Sequence, residues 1–212
     1  MAFKTLKVVE HNPFIILLTL NRPTVYNAIN SVMMSELVTF WQMISTHKKY
    51  RCLLITGEGK AFCAGADFKE RFTMPLDIWK KNHAVLRQAM SAMLSCPIPV
   101  IAAVNGPAFG GGLELILASD FAYASVDATF GQSEVKVGLM PGAFGTRNLP
   151  RTCHLKRAKE LIFTGELFSA TDALQWGIVN QVVDAHALLE ATVQTAEKIA
   201  ANAPIAIREA KI

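Results

Sequence analysis

The chain has 212 residues, 51% of them hydrophobic and 18% charged, and a formal net charge of +4. That length suits one domain, or a domain with an appendage, with room for a substantial core. The mild positive balance fits an anionic ligand, but no basic run with interleaved aromatics supports nucleic acid as the main partner.

Leu6–Glu10 and Phe14–Leu20 read as two strands joined by a His-Asn-Pro turn, a hairpin signal. Asn21-Arg22-Pro23 ends the second strand, because proline cannot donate to a ladder. A helix is predicted from Asn30 or Ser31, both good caps. Its apolar positions Met33, Leu37, Trp41 and Ile44 form one core-facing stripe. Cys52–Ile55 is the next buried strand, closed by Thr56-Gly57-Glu58-Gly59. Lys60–Asp67 is rich in small residues and has neither regular period. Such a stretch lets a ligand or another backbone approach main-chain amides, although taken alone an ordinary tight turn is the favoured reading. Phe68–Pro75 is expected to be irregular, and Leu76–Leu94 a helix stopped by Pro97 and Pro99.

The chain is organised around Val104–Glu114. The run Pro99–Val104 reads as a strand buried on both faces, and Leu113–Ala118 as a helix. Between them Gly110-Gly111-Gly112 permits a tight turn and leaves its amides uncovered. Amides that open a helix favour negative charge, and Glu114 sits on that first turn. The stretch taken alone is either a reaction site or a plain strand–glycine–helix packing joint. A dinucleotide fingerprint fits poorly, since Leu113-Glu114-Leu115 leaves the third glycine missing.

Phe121–Ser125 reads as a short strand, and Thr129–Glu134 supplies a second carboxylate. Gly138–Gly145 is another glycine-rich joint leading to a helix. Leu155–Phe163 and Ser169–Trp176 are helices, the latter opened by Ser169 and Asp172 in capping-box form and closed by Gly177. Ile178–Val183 is a last strand and Ala185–Ala201 a long helix. Alternating strands and helices argue for α/β layers with largely parallel pairing.

Cys52, Cys63, Cys96 and Cys153 lack C-x-x-C spacing and read as buried free thiols. The five histidines show no i,i+3 or i,i+4 pair, so a metal site has no support. No apolar run reaches about 18 residues, and the N-terminus lacks a basic-then-apolar signal. A cytoplasmic protein with no membrane partner is the expectation.

Four motifs in order resemble the enoyl-CoA hydratase/isomerase (crotonase) superfamily: Asn21-Arg-Pro…Asn27-Ala28, Ala61–Asp67, Ala103–Glu114, and Phe130-Gly-Gln-Ser-Glu134 with Gly138–Gly142. The resemblance runs from the first strand to the last residue. It implies an α/β fold of the ClpP/crotonase type, a spiral of β-β-α units with a helical C-terminal part. Residues 1–212 would form one domain, with 1–183 as the spiral core and 184–212 as the start of the helical region. A homotrimer or dimer of trimers is implied as the assembly. The implied ligand is an acyl-CoA thioester, with no separate cofactor because coenzyme A is part of the substrate.

By motif position, the resemblance assigns the amides of Ala66 and Gly111 to an oxyanion hole. It gives CoA binding to the backbone around Ala64, Ala66, Asp67, Phe68 and Lys69, and lets the Gly142 amide help position a water. Glu114 and Glu134 match the hydratase pair, with Glu114 as base toward water and Glu134, or a proton relayed through the shared water, as the proton source for Cα. Two nearby carboxylates do not both ionise easily, so one is expected to hold a proton near neutrality.

The sequence departs from the pattern in three places. Phe144 stands where many relatives have glycine, and Thr24-Val25 where they often have a lysine near the CoA phosphates. The chain ends at Ile212, whereas family members usually continue for roughly forty residues more, so a shortened helical part with altered assembly or weak activity is expected. The alternatives to a hydratase are an enoyl-CoA isomerase, a branched-chain (methylglutaconyl-type) hydratase, and a non-catalytic acyl-CoA-binding or assembly module. A thioesterase is less favoured, because Cys63 has no histidine near it in sequence and reads as structural.

Overall fold

The first hairpin pairs β1 (Leu6–Asn12) antiparallel with β2 (Ile15–Leu20). The Asn12 side chain accepts from the N–H groups of Phe14 and Ile15, which fixes the turn and leaves Phe14 outside the strand. In the computed structural model, which describes residues 3–211, this hairpin is the edge of a six-stranded sheet. Its order is β1-β2-β3-β4-β6-β9, with β3 at Cys52–Gly57, β4 at Val100–Val104, β6 at Phe121–Ser125 and β9 at Gln181–Val183. Every pairing after the hairpin is parallel. A second, three-stranded sheet has the order β5-β7-β8, from Ala108–Phe109, Thr129–Gly131 and Leu167–Ser169.

The strands of the large sheet are buried on both faces, and side-chain alternation divides them between two cores. Leu53 and Ile55 face the main core, while Ile15, Cys52, Leu54 and Ile101 face the other side. There α8 (Leu188–Ala201) lays Ala196 and Ala200 on the sheet, small residues that let the helix sit close. The main core is covered by α1 (Ser31–Thr46), α3 (Leu76–Leu94) and α4 (Gly111–Ala118). Asn30 caps α1 by accepting from the Met33 N–H, and the helix buries Met33, Leu37, Phe40, Trp41 and Ile44.

From β4 onward the chain repeats one turn: a strand in the large sheet, a short strand in the small sheet, then a helix. β4, β5 and α4 make one such turn; β6, β7 and α5 (Gly145–Cys153) make the next. Helices α6 (Leu155–Thr164) and α7 (Ala170–Gln175) flank β8, and α9 (Pro204–Ala210) follows α8. Both reciprocal bonds of the Ser169–Asp172 capping box are present at α7, so Ser169 is its cap.

Three expectations change. Phe68–Phe72 is helical (α2), opened by Asp67, whose side chain accepts from the Glu70 N–H. Five residues are too few to display a 3.6 period. The last strand begins at Gln181 because the N–H groups of Ile178 and Val179 turn back to the Ala173 carbonyl and close α7. The C-terminal helix is preceded by a separate 3-10 turn, Ala185–Ala187, since no side chain caps it at Asp184. Helix α9 starts with Pro204 at its first turn, where the missing N–H leaves no bond unmade. Met1, Ala2 and Ile212, which fall within the single domain expected at 1–212, lie outside the described residues.

Candidate active site

Two loops meet edge to edge above the parallel strands. The loop after β3 and the β4–α4 connection pair through the bridge Cys63–Ala108, with the Phe109 N–H donating to the Cys63 carbonyl at 3.0 Å. The contact is possible only because side chains are missing. A Cβ on Gly112 would overlap the Cys63 carbonyl oxygen, and one on Gly65, at φ +88°, would stand 2.6 Å from the Phe109 carbonyl oxygen. From below, the buried Asn27 carboxamide donates to the carbonyls of Glu58 and Ala61 and accepts from the Arg22 N–H. The Cys63 thiol donates to the Asn27 carbonyl at 3.2 Å, and burial pushes its pKa up to about 12. Cys63 is therefore a buried structural thiol.

This clamp presents two main-chain donors. Ile29 takes the carbonyl of Gly65 and gives its own carbonyl to the Asp67 N–H, so the Ala66 N–H between them is left over. Gly111 opens α4, where the N–H has no intrahelical partner. Among the described residues neither N–H has an acceptor, and both residues line one cavity of about 520 Å³.

The two glutamates enter the same cavity from different turns of the spiral. Glu114, on the first turn of α4, is 2% exposed. Its Oε1 accepts from the Ala143 N–H at 2.8 Å and the Gly145 N–H at 2.7 Å, which leaves Oε2 outside those bonds. Glu134 opens a 3-10 turn, and its Oε1 accepts from Gln132 Nε2 at 2.8 Å. Its Oε2 is buried without a partner among the described residues. Gly110 makes room for that carboxylate, since a Cβ there would stand 3.0 Å from Glu134 Oε1.

Burial dominates the electrostatics. It pushes the Glu114 pKa up to about 7, helped by the charge of Glu134 and opposed by the Gly145 and Ala143 amides. Burial likewise raises Glu134. Arg71, at the end of α2, lines the cavity, and its charge favours ionisation of both glutamates. His83 of α3 stacks on Trp79 with centroids 5.2 Å apart; burial holds its pKa below the ordinary value, with Arg71 and Arg87 adding to the effect.

Of the residues singled out in the sequence, Ala64, Ala66, Phe68, Gly111, Glu114, Glu134 and Gly142 line this cavity, and Asp67 and Lys69 do not. The Asp67 carboxylate is committed to Arg22 at 2.9 Å and to capping α2, so the side chain fastens the loop. Gly142 lies under the His83 ring, where a Cβ would meet Cε1 at 2.7 Å. The amides that hold Glu114 are those of Ala143 and Gly145, not that of Gly142.

Sequence reasoning missed Arg71, His83, Arg87 and Arg147, all in the cavity wall. One signal pointed to Arg71: Asp67-x-x-Glu70 has the form of a helix start, and Arg71 follows on that turn. Glu70 itself bonds the N–H and hydroxyl of Ser31, at 2.8 and 2.5 Å, fastening α2 to α1. Phe144 has a left-handed backbone, φ +76°, a conformation that glycine adopts without strain and that explains glycine as the usual residue there.

A model of the enoyl-CoA hydratase/isomerase family matches residues 10–212. The chain is 37% identical to the short-chain-enoyl-CoA hydratase of Clostridium acetobutylicum, over 96% of its own length and 78% of the relative's. It is also 37% identical to the (E)-benzylidenesuccinyl-CoA hydratase of Thauera aromatica, over 98% of this chain and 80% of that one. The crystal structure of enoyl-CoA hydratase from Bacillus anthracis superposes with a TM-score of 0.96 at 42% identity, covering 98% of this chain and 81% of that one. The α/β architecture is thus the crotonase spiral expected from the motifs.

Proposed function

The chain belongs to the enoyl-CoA hydratase/isomerase family, and from that premise we propose that it adds water across the 2,3 double bond of a trans-2-enoyl-CoA to give a 3-hydroxyacyl-CoA. One observation carries the reading: a buried glutamate, a half-buried one and two main-chain N–H groups without an acceptor among the described residues line a single cavity. The thioester carbonyl oxygen accepts from Ala66 and Gly111, with the positive end of α4 behind it. As water adds, negative charge develops on that oxygen, and fixed donors stabilise it there more than in the ground state. Losing one such donor raises the barrier by about 3–4 kcal/mol.

Water sits between the carboxylates. Glu114, oriented by the two amides on Oε1, takes a proton through Oε2 while the water oxygen bonds to Cβ. Glu134, in its protonated form, donates from Oε2 to Cα. Water thus contributes hydroxyl and one proton, and the proton left on Glu114 returns to Glu134 before the next cycle. The raised pKa values of the pair make this division of one shared proton available near neutral pH.

The test is loss of the conjugated absorbance of crotonyl-CoA on incubation with the purified chain. Turnover of 3-enoyl-CoA in its place would assign an isomerase. Thioester binding with neither reaction would assign an acyl-CoA-binding module.

A further inference from the structure

The cavity carries more positive charge than the hydration chemistry uses. Arg71, Arg87 and Arg147 all line it, against Glu114 and Glu134 as its acidic residues. Arg71 faces the glutamates. Arg87 and Arg147 do not serve them; both stand against Phe144, their guanidinium carbons 5.6 and 6.0 Å from the ring centroid. Among the described residues, Arg87 and Arg147 belong to none of the ion pairs and donate none of the side-chain hydrogen bonds. An arginine set against a ring keeps the N–H groups at its edge free to take a planar anion in bidentate fashion.

The position of this wall follows from the backbone. Gly111 lies at the oxyanion hole and Glu114 one helical turn further along α4. Glu114 is gripped by Ala143 and Gly145, the two residues that flank Phe144. An acyl chain with its carbonyl at the hole and its Cβ at the glutamates therefore continues toward Phe144, Arg87 and Arg147. The left-handed backbone at Phe144 strains a residue that is not glycine, and the strain sets a ring in the wall that glycine would leave out.

We propose that Arg87 and Arg147, steadied by the Phe144 ring, form a subsite for a carboxylate at the far end of the acyl chain, so that the preferred substrates are carboxylated enoyl-CoAs. The proposal rests on the orientation that the hydratase reading gives the thioester, and binding of unreactive thioesters tests it separately from the chemistry. Adipyl-CoA and hexanoyl-CoA have acyl chains of equal length, only the first with a terminal carboxylate, and neither has a double bond to hydrate. Calorimetric titration is expected to give adipyl-CoA a Kd about tenfold or more lower, the range of a charge-assisted hydrogen-bonded pair. The double variant Arg87→Gln/Arg147→Gln should bring the ratio of the two Kd values to about one. Arg87→Lys/Arg147→Lys, which keeps the charges and loses the planar fork, should retain part of it.

In the kinetic arm, trans-2-hexenedioyl-CoA should exceed trans-2-hexenoyl-CoA in kcat/KM by a similar factor. Equal or weaker binding of adipyl-CoA, or failure of both thioesters to bind, overturns the subsite. An equal loss of affinity for free coenzyme A in the glutamine variant also overturns it, because the arginines would then serve the phosphates. A preference for adipyl-CoA with no hydration of any enoyl-CoA leaves the subsite standing and removes the hydratase reading.

Discussion

Glu114→Gln should make the protein more stable at alkaline pH while removing its activity. The wild-type carboxyl is 2% exposed, and its pKa rises from 4.5 to about 7 on folding, mainly through burial. An acid whose folded pKa is raised holds its proton more tightly in the folded state. Folding stability therefore falls as pH climbs from about 4.5 to about 7, and the full penalty is in place above that window. One pKa unit corresponds to about 1.4 kcal/mol, so the penalty reaches roughly 3 kcal/mol at full ionisation and is under about 1 kcal/mol at pH 5. Glutamine mimics the neutral form, and its Oε1 can still accept from Ala143 and Gly145. The variant should gain about 2–3 kcal/mol relative to wild type between pH 5 and pH 8.5. With a urea m-value on the order of 2 kcal/mol/M, this gain is a relative midpoint shift of about 1 M. Urea titrations of both proteins at the two pH values measure it. Parallel behaviour of wild type and variant would refute the claim that Glu114 folds into a site that disfavours its charge.

Three further outcomes are expected. Glu114→Gln and Glu134→Gln should each cut hydration of crotonyl-CoA more than a hundredfold, within the span of general acid–base catalysis, and near-normal turnover in either would sink the assignment of the pair. The kcat/KM for hydration should fall as pH drops below about 7, where Glu114 takes up its proton, and a flat profile from pH 5 to 8 would show that a free Glu114 base is not needed. Gly112→Ala should destabilise the fold by about 1–3 kcal/mol, because the new methyl meets the Cys63 backbone, which has no rotamer to give; unchanged thermal unfolding would mean that the two loops are not clamped there.

Features with a local cause were legible in the sequence. Asn30 caps α1, the pattern of Leu76–Leu94 gives α3 to the residue, and the glycines before Glu114 mark a helix start with bare amides. The motifs picked out Glu114, Glu134, Ala66 and Gly111, all of which line one cavity. Hidden features depend on distant packing. Arg71, Arg87 and Arg147 come from three different helices, and each alone looks like an ordinary surface charge. The partners of Glu114 are backbone amides 29 and 31 residues away, which no side-chain pattern records. Asp67 is another such case: its place in a loop motif gave no sign of the side-chain bond to Arg22 across 45 residues. Helix α2 escaped because five residues cannot show a period, although its cap was written in Asp67 and Glu70.

The clamp between Cys63 and Gly112 also bears on how such a protein can evolve. The Ala66 and Gly111 donors are main-chain atoms, present whatever amino acid occupies the position, apart from proline. Drift cannot erase them one codon at a time. It can only push the loops apart, through the few glycines that let them touch. The glutamates and the wall around Phe144 are side chains, each open to replacement by a single substitution. A lineage on this frame can therefore exchange those side chains separately, while the two main-chain N–H groups persist wherever the glycines that let the loops touch are kept.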